Sequence, residues 1–403
     1  MLINGSGEKG QALILIALVI VILLGMTGLA VDAGNAFADR RQAQNAADTA
    51  VLAAAYAKIQ DQNTSAAALK LATKNGFENN GVDCFIQVNN PPVGGEYDGN
   101  AEYIQVIIES QQRTLFAQII GIESIKNRVE AVSRATPSKW DSLYDGNALV
   151  ALKPTGKGAF RSHGDNETNV YGSGIFVNSN DPCAFEQMGN SVLSVPDSAI
   201  KIVGDACLNG NISPADSITN DARPVPYPPA YLPEEPVCAG DAVRDGNVLN
   251  PGNWEGSFPP KGVDFLQPGI YCIDGTFMMN AHEVLKGDGV LLYMRSGNIH
   301  WNGKATINLT GYSDSPYRGL LIYMPMSNDE GVILNGDSDS SFTGTILAPA
   351  SDVQINGTAN IDSYEAQIIA YTIDLIGTMD LDVNYNENAV YEYPYPPTIE
   401  LVK

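Results

Sequence analysis

The chain has 403 residues, with 23 Lys and Arg against 46 Asp and Glu and a formal net charge of −23. So acidic a balance excludes nucleic-acid binding, which needs a basic face, and suits a soluble body outside the cell. Charged residues are only 17%, while 39 glycines and 23 prolines favour turn-rich β structure over helical bundles.

The first predicted element lies in "EKGQALILIALVIVILLGMTGLAVDAGN", residues 8–35. Ala12 to Val31, through Leu15, Gly25 and Gly28, carries no charge and spans about 30 Å as a helix, the hydrocarbon thickness of a bilayer. A secretory signal has a shorter core of about 7–15 residues. The chain then continues into "NAFADRRQAQNAADTAVLAAAYAKIQ", which is alanine-rich, free of proline and glycine, and strongly helix-forming. One rod is expected from about Gln11 to Ile59, followed by a short helix capped by Thr64 or Ser65 and stopped at Gly76. Lys9 before the span and Arg40 and Arg41 after it leave the positive-inside count undecided. The size of the acidic part places the body outside and residues 1–31 as a short cytoplasmic tail and stem.

Farther on, "CFIQVNN", "EYIQVIIESQ" and "NRVEAVSRA" have the β-branched content of strands, and "RTLFAQIIGI" offers a helical apolar face of Leu115, Phe116, Ile119 and Ile120. Residues 32–136 are therefore expected to form a small α+β module. Its boundary falls at "ATPSKWDS": residues 1–136 hold 10 basic and 13 acidic residues, net −3, and residues 137–403 hold 13 and 33, net −20.

The stretch "KGQALILIALVIVILLGMTGLAVDAGNAFADRRQAQNAADTAVLAAA" resembles the N-terminal segment of the Tad (tight adherence) pilus-assembly family, of the TadE/TadG-like kind. The shared features are Gly10-Gln11-Ala12, "GLAVD" from Gly28 to Asp32, and "RRQAQNAADTAVLAAA". Residues 101–135 resemble the strand, helix and closing strand of that family. The resemblance implies an envelope protein tied to pilus assembly or surface attachment. Prepilin-like members are cut after a glycine such as Gly10, leaving Gln11 first, and carry a glutamate five residues into the mature chain. That position here is Leu15. Two readings stay open: an uncleaved anchor bearing an external domain, which Leu15 favours, and a subunit polymerising through its N-terminal helix.

The acidic part repeats. Glycines at 303, 336, 357 and 377 close similar segments at gaps of 33, 21 and 20 residues. "GVLLYMR", "GLLIYMP", "GTILAPA" and "AQIIAYT" interleave with them at gaps of 30, 25 and 22. Two strand registers recurring at about 20 residues indicate a solenoid. A right-handed parallel β-helix over residues 137–403 is favoured, with a β-sandwich as the alternative fold. "GSGIFVNSN" and "SVLSVPDSAIKIVGDACLNGNI" are expected to supply its first turns. Residues 222–269 are too rich in proline for regular turns and read as an excursion. Proximity pairs Cys183 with Cys207 and Cys238 with Cys272, leaving Cys84 free; five free thiols are the alternative.

The chemistry-bearing residues do not converge. Asp337, Asp339, Asp362 and Asp380 could stack as carboxylates or simply face solvent, and Asp337 with Asp339 lacks the length of a calcium loop. His163, His282 and His300 are scattered. Tyr293, Trp301, Tyr323 and Tyr371 would make a sugar-binding strip if they point outward and core if inward. No catalytic residue, metal or cofactor is expected. The expected protein is a membrane-anchored, extracytoplasmic structural or adhesive protein of a tight-adherence system, not an enzyme. Its expected partners are lipid, other pilus-assembly proteins or identical subunits, and surface glycans; a carbohydrate-active surface protein is the remaining alternative.

Overall fold

Helix α1 runs unbroken from Lys9 to Ile59, about 77 Å at the α-helical rise. The computed structural model describes residues 9–335, 340–357, 361–378 and 380–403, with the backbone alone at 9–13, 357 and 361–364. Two units emerge, Met1–Lys139 together with Tyr395–Lys403, and Trp140–Pro394.

In the first unit the two halves of α1 differ. Ala43, Ala46, Ala47, Ala50 and Ala54 form one helical stripe and are fully buried. They lie on Ile104, Val106, Ile108, Val129 and Ala131. Side chains of one carbon let the helix approach the sheet closely. The sheet comprises β1 (Cys84–Asn89), β2 (Tyr103–Arg113) and β3 (Ser124–Thr136), all antiparallel. Helix α2 (Thr64–Lys74) is capped by Asn63, whose side chain accepts from the Ala66 N–H at 2.8 Å. Asn63, one residue before the expected caps, takes the role, and Gly76 follows the helix at φ +91°.

A fourth strand, Thr398–Leu401, pairs antiparallel with β3. The tail after the acidic part therefore completes the sheet of the first unit. The second unit is an insertion between two neighbouring strands of one sheet.

That second unit is a β-solenoid of about 10 turns with parallel, in-register strands. Three faces repeat. On one, Leu149, Ile175 and Ile200 stack in successive turns. On the next, Phe160 stacks on Phe185, with ring centroids 5.3 Å apart. On the third, Thr168 stacks on Leu193 and Leu193 on Ile212.

The order of turns departs from chain order. Segments 149–219 are not the first turns. Ile368–Ala370 pair with Leu149–Ala151, Ile373–Gly377 with Phe160–Gly164, and Asp380–Asn384 with Glu167–Tyr171. The turn at this junction is built from both ends of the unit: Asp380–Asn384 supplies one side, Leu149–Ala151 and Phe160–Gly164 the others. Arg161 clamps it, donating from Nε to Asp374 Oδ1 at 2.6 Å and from Nη2 to Oδ2 at 2.5 Å. Buried Gln367 donates to the Leu143 and Asn147 carbonyls at 3.0 and 2.9 Å.

The chain runs from the junction to one end of the stack, crosses to the other end, and returns. Residues 222–243 make that crossing, as a strap along one face. Ala222 N–H bonds Ile202 O, Val225 N–H bonds Asn178 Oδ1, the Tyr227 ring meets Tyr371, and Tyr323 Oη donates to Pro233 O. The Cys238–Cys272 disulfide fastens its far end. The expected excursion 222–269 is thus shorter. Pairing resumes with a parallel bridge from Asp241 to Asn253 and an antiparallel pair of Arg244–Asp245 with Val248–Leu249, and continues through Gly252–Glu255 and Phe265–Leu266, with Pro251, Pro259, Pro260 and Pro268 falling between strands. Proline is tolerated there because no ladder donor is needed.

Beneath the strap, alternate side chains serve two cores. Leu292, Ile346 and Ile368 point into the solenoid. Leu291, Leu347 and Ile369 point outward and are buried with Val225, Tyr227 and Leu232 of the strap. This explains the uninterrupted apolar runs of that face: strands covered on both sides do not alternate. Burial under the strap pushes the Tyr323 phenol up to about 12. On the other faces the alternation is plain, with Val353 and Ile355 buried and Gln354 and Asn356 half-buried.

Candidate functional site

From Ile14 to Val31, α1 leaves its long apolar side chains exposed, Leu15 and Val31 among them. Among the described residues it is the one helix long and apolar enough to cross a membrane. A built Cβ at Gly25 would meet nothing within 4 Å. Gly28 is different: a Cβ there would lie 2.7 Å from Phe116 Cγ. The close approach that Gly28 permits is made by the β2–β3 loop of the same chain. Gly10, Gln11 and Ala12 begin α1, and their side chains lie outside the described residues.

Three polar side chains tie the stem to the sheet. Asp32, at the end of the apolar run and 4% exposed, accepts from the Leu115 N–H through Oδ1 at 2.8 Å. Through Oδ2 it accepts from Phe116 N–H and Ala117 N–H at 2.8 and 2.6 Å. About two turns on, Asp39 Oδ2 accepts from Ser110 Oγ at 2.6 Å and from Asn127 Nδ2 at 2.7 Å. Gln44 Nε2 then donates to the Glu130 carbonyl at 3.1 Å. These anchors lie on one side of α1 and fix its rotation and height against β2 and β3. In sequence, Asp32 showed only as the last residue of "GLAVD". Its partners are backbone amides, which carry no residue signature.

The expected helix in "RTLFAQIIGI" is a single 3-10 turn, Ala117–Ile120, ended by Gly121 at φ +88°. The apolar spacing is helical, but its face stays largely bare: Leu115, Phe116, Ile119 and Ile120 are all exposed, with Phe116 lying against Gly28.

In the solenoid, Tyr293, Trp301 and Tyr323 are buried and form no exposed strip. Tyr293 and Tyr323 stack at 5.3 Å, while Trp301 meets Phe277 and Phe342 edge-on inside the core. Tyr371 packs on Tyr227. Asp337 and Asp339 lie outside the described residues, as does the side chain of Asp362; Asp380 is exposed. His163, His282 and His300 stand apart, and among the described residues no group of three or more His, Cys, Asp or Glu could hold a metal ion. A shallow cleft beside Tyr144, Phe176, Lys201 and Arg223 holds the lone carboxylate of Asp145; two-carboxylate chemistry has no pair there. The disulfides join Cys183 to Cys207 and Cys238 to Cys272, and Cys84 is a free, buried thiol.

Residues 10–57 match the family described as putative Flp pilus-assembly TadE/G-like. No curated protein and no solved structure matches the chain. The family match covers the bare stem, Asp32, Asp39 and Gln44, and the alanine stripe; it ends before α2.

Proposed function

We propose that the chain is a membrane-anchored structural protein of a Flp-type, tight-adherence pilus system, which displays an acidic β-solenoid outside the cell. The observation that carries this reading is the coincidence of the pilus-assembly match at 10–57 with the bare apolar helix and its polar ties to the sheet. Two disulfides support an oxidising location for the solenoid, and the net charge of −23 suits a soluble, displayed surface. The proposal assigns the body no catalysis; its role is structural or adhesive.

The test is alkaline extraction of cell envelopes, protease treatment of intact cells, and intact-mass measurement. The full chain should stay with the membrane after extraction, and protease should remove the solenoid from outside. Deleting the gene should abolish pilus-dependent attachment. A mass beginning at Gln11 in sheared filaments would replace the anchor with a polymerising subunit. Release by alkali would end the membrane reading.

A further inference from the structure

The tip of the β2–β3 hairpin is the least expected surface of the first unit. Loops turned to water are ordinarily polar. This one reads "TLFAQIIGI" and exposes Leu115, Phe116, Ile119, Ile120 and Ile122, with Ile119 80% exposed. Hydrogen bonds close its backbone. Thr114 N–H bonds Glu123 O at 3.1 Å and Ile122 N–H bonds Ala117 O at 3.1 Å, so both strands close over the turn. Gln118 Nε2 donates to Leu115 O at 2.9 Å. The apolar residues are therefore presented by a formed turn.

Its position says what covers it. Asp32 holds the turn by three amides, and Phe116 lies over Gly28. The patch thus continues directly from the exposed Leu24, Met26, Leu29 and Val31 of the stem. It sits beside the last turn of the 20-residue apolar run, at the depth where a bilayer around Ala12–Val31 would pass from acyl chains to headgroups. Exposed Arg113 and Lys126 stand at its base, where anionic headgroups would meet them.

We propose that residues 115–122 form a second membrane contact, an apolar wedge that enters the interface beside the stem and is set in depth by Asp32. The occupant of the patch is lipid. The stem alone would leave tilt and rotation free; a wedge fixed to its side removes both freedoms. This inference rests on the membrane reading of the stem.

The full chain, reconstituted in vesicles of phosphatidylcholine and phosphatidylglycerol, tests it through tryptophan quenching by brominated lipids, read relative to the unsubstituted protein. Ile119→Trp probes the wedge, Val21→Trp the middle of the stem, and Val93→Trp the opposite end of the sheet. All three side chains are exposed, and each variant should keep the solenoid's thermal transition. The expected result is strong quenching of Ile119→Trp by lipid brominated high on the acyl chain, of Val21→Trp by lipid brominated near the chain ends, and none for Val93→Trp. Quenching of Val21→Trp without Ile119→Trp overturns the wedge and leaves the anchor standing. In that case, blue-shifted emission from Ile119→Trp would assign the patch to contact with a second copy of the chain. Absence of quenching at Val21→Trp overturns the membrane reading, and the wedge with it.

Discussion

Residues 14–24, "ILIALVIVILL", and residues 289–294, "GVLLYM", are alike in composition, yet the first lies bare and the second is covered on both sides. The solenoid brings its own cover. The strap 222–243 is rich in proline, which has no N–H to leave unsatisfied and a preset φ, so it can lie along an apolar face without joining a sheet. A disulfide then fixes it. The stem has no such cover beyond the single turn held by Asp32. An apolar run is thus read by its surroundings: cover supplied by the chain makes it core, and cover withheld makes it a surface for something else.

The sharpest way to break this comparison is to make the same truncation in both places. Leu291→Ala, beneath the strap, should cost about 2–5 kcal/mol through lost burial and a cavity, read as a lower midpoint of the solenoid's unfolding. Leu23→Ala, 56% exposed, should leave that midpoint where it is. An equal effect at both sites would erase the distinction.

Next comes the fastening. Replacing Cys238 and Cys272 together by serine opens a link across 34 residues, worth roughly 4 kcal/mol for a loop of that size. Limited proteolysis should then cut between 222 and 237 faster than in the parent, with the turns themselves still protected.

At the stem, Asp32→Ala removes the acceptor for three amides. A loss of about 1–3 kcal/mol of local stability is expected, seen as faster hydrogen exchange at Leu115, Phe116 and Ala117. Unchanged exchange would mean the turn holds itself.

The smallest effect belongs to the C-terminal strand. Lys403 Nζ and Gln105 Nε2 each donate to Glu130 at 2.7 Å and, together, hold its carboxyl below the ordinary value. A depressed carboxyl stabilises the folded form above its unfolded value, and that contribution fades as pH falls through the folded one. Exchange at residues 398–402 should therefore rise first on acidification below about pH 4, and Lys403→Ala should move its onset to higher pH.

How much of this was legible follows from the kind of signal each part carries. The long helix was plain, because composition and the absence of breakers act locally. The repeat was plain too: Gly357 and Gly377 pair in register at one corner, and the interleaved apolar runs all lie beneath the strap. The order of the turns was not legible. Segments such as Leu149–Ala151 are three residues long, and nothing in them names Ile368–Ala370 as neighbour. The excursion looked too long because proline density marks corners as readily as loops. The turn at 117–120 looked like a helix because four apolar residues fit the period, while Gly121 ends it after one turn. That Thr398–Leu401 joins β3 was not legible, because four residues after a pair of prolines carry too little pattern to name a neighbour.

The junction turn also has a history in time. Arg161 and Asp374 meet across 213 residues of chain, so the half made first must wait, its stacking edge open, until nearly all the rest has arrived. Contacts of such separation form late, and an unpaired parallel edge invites wrong partners meanwhile. The segment that ends the wait is short, Asp380–Asn384, which caps Ile361 on one side and Glu167–Tyr171 on the other. A chain cut off before it would join its two halves only through Ile368–Ala370 and Ile373–Gly377, with the third side of the junction turn left open.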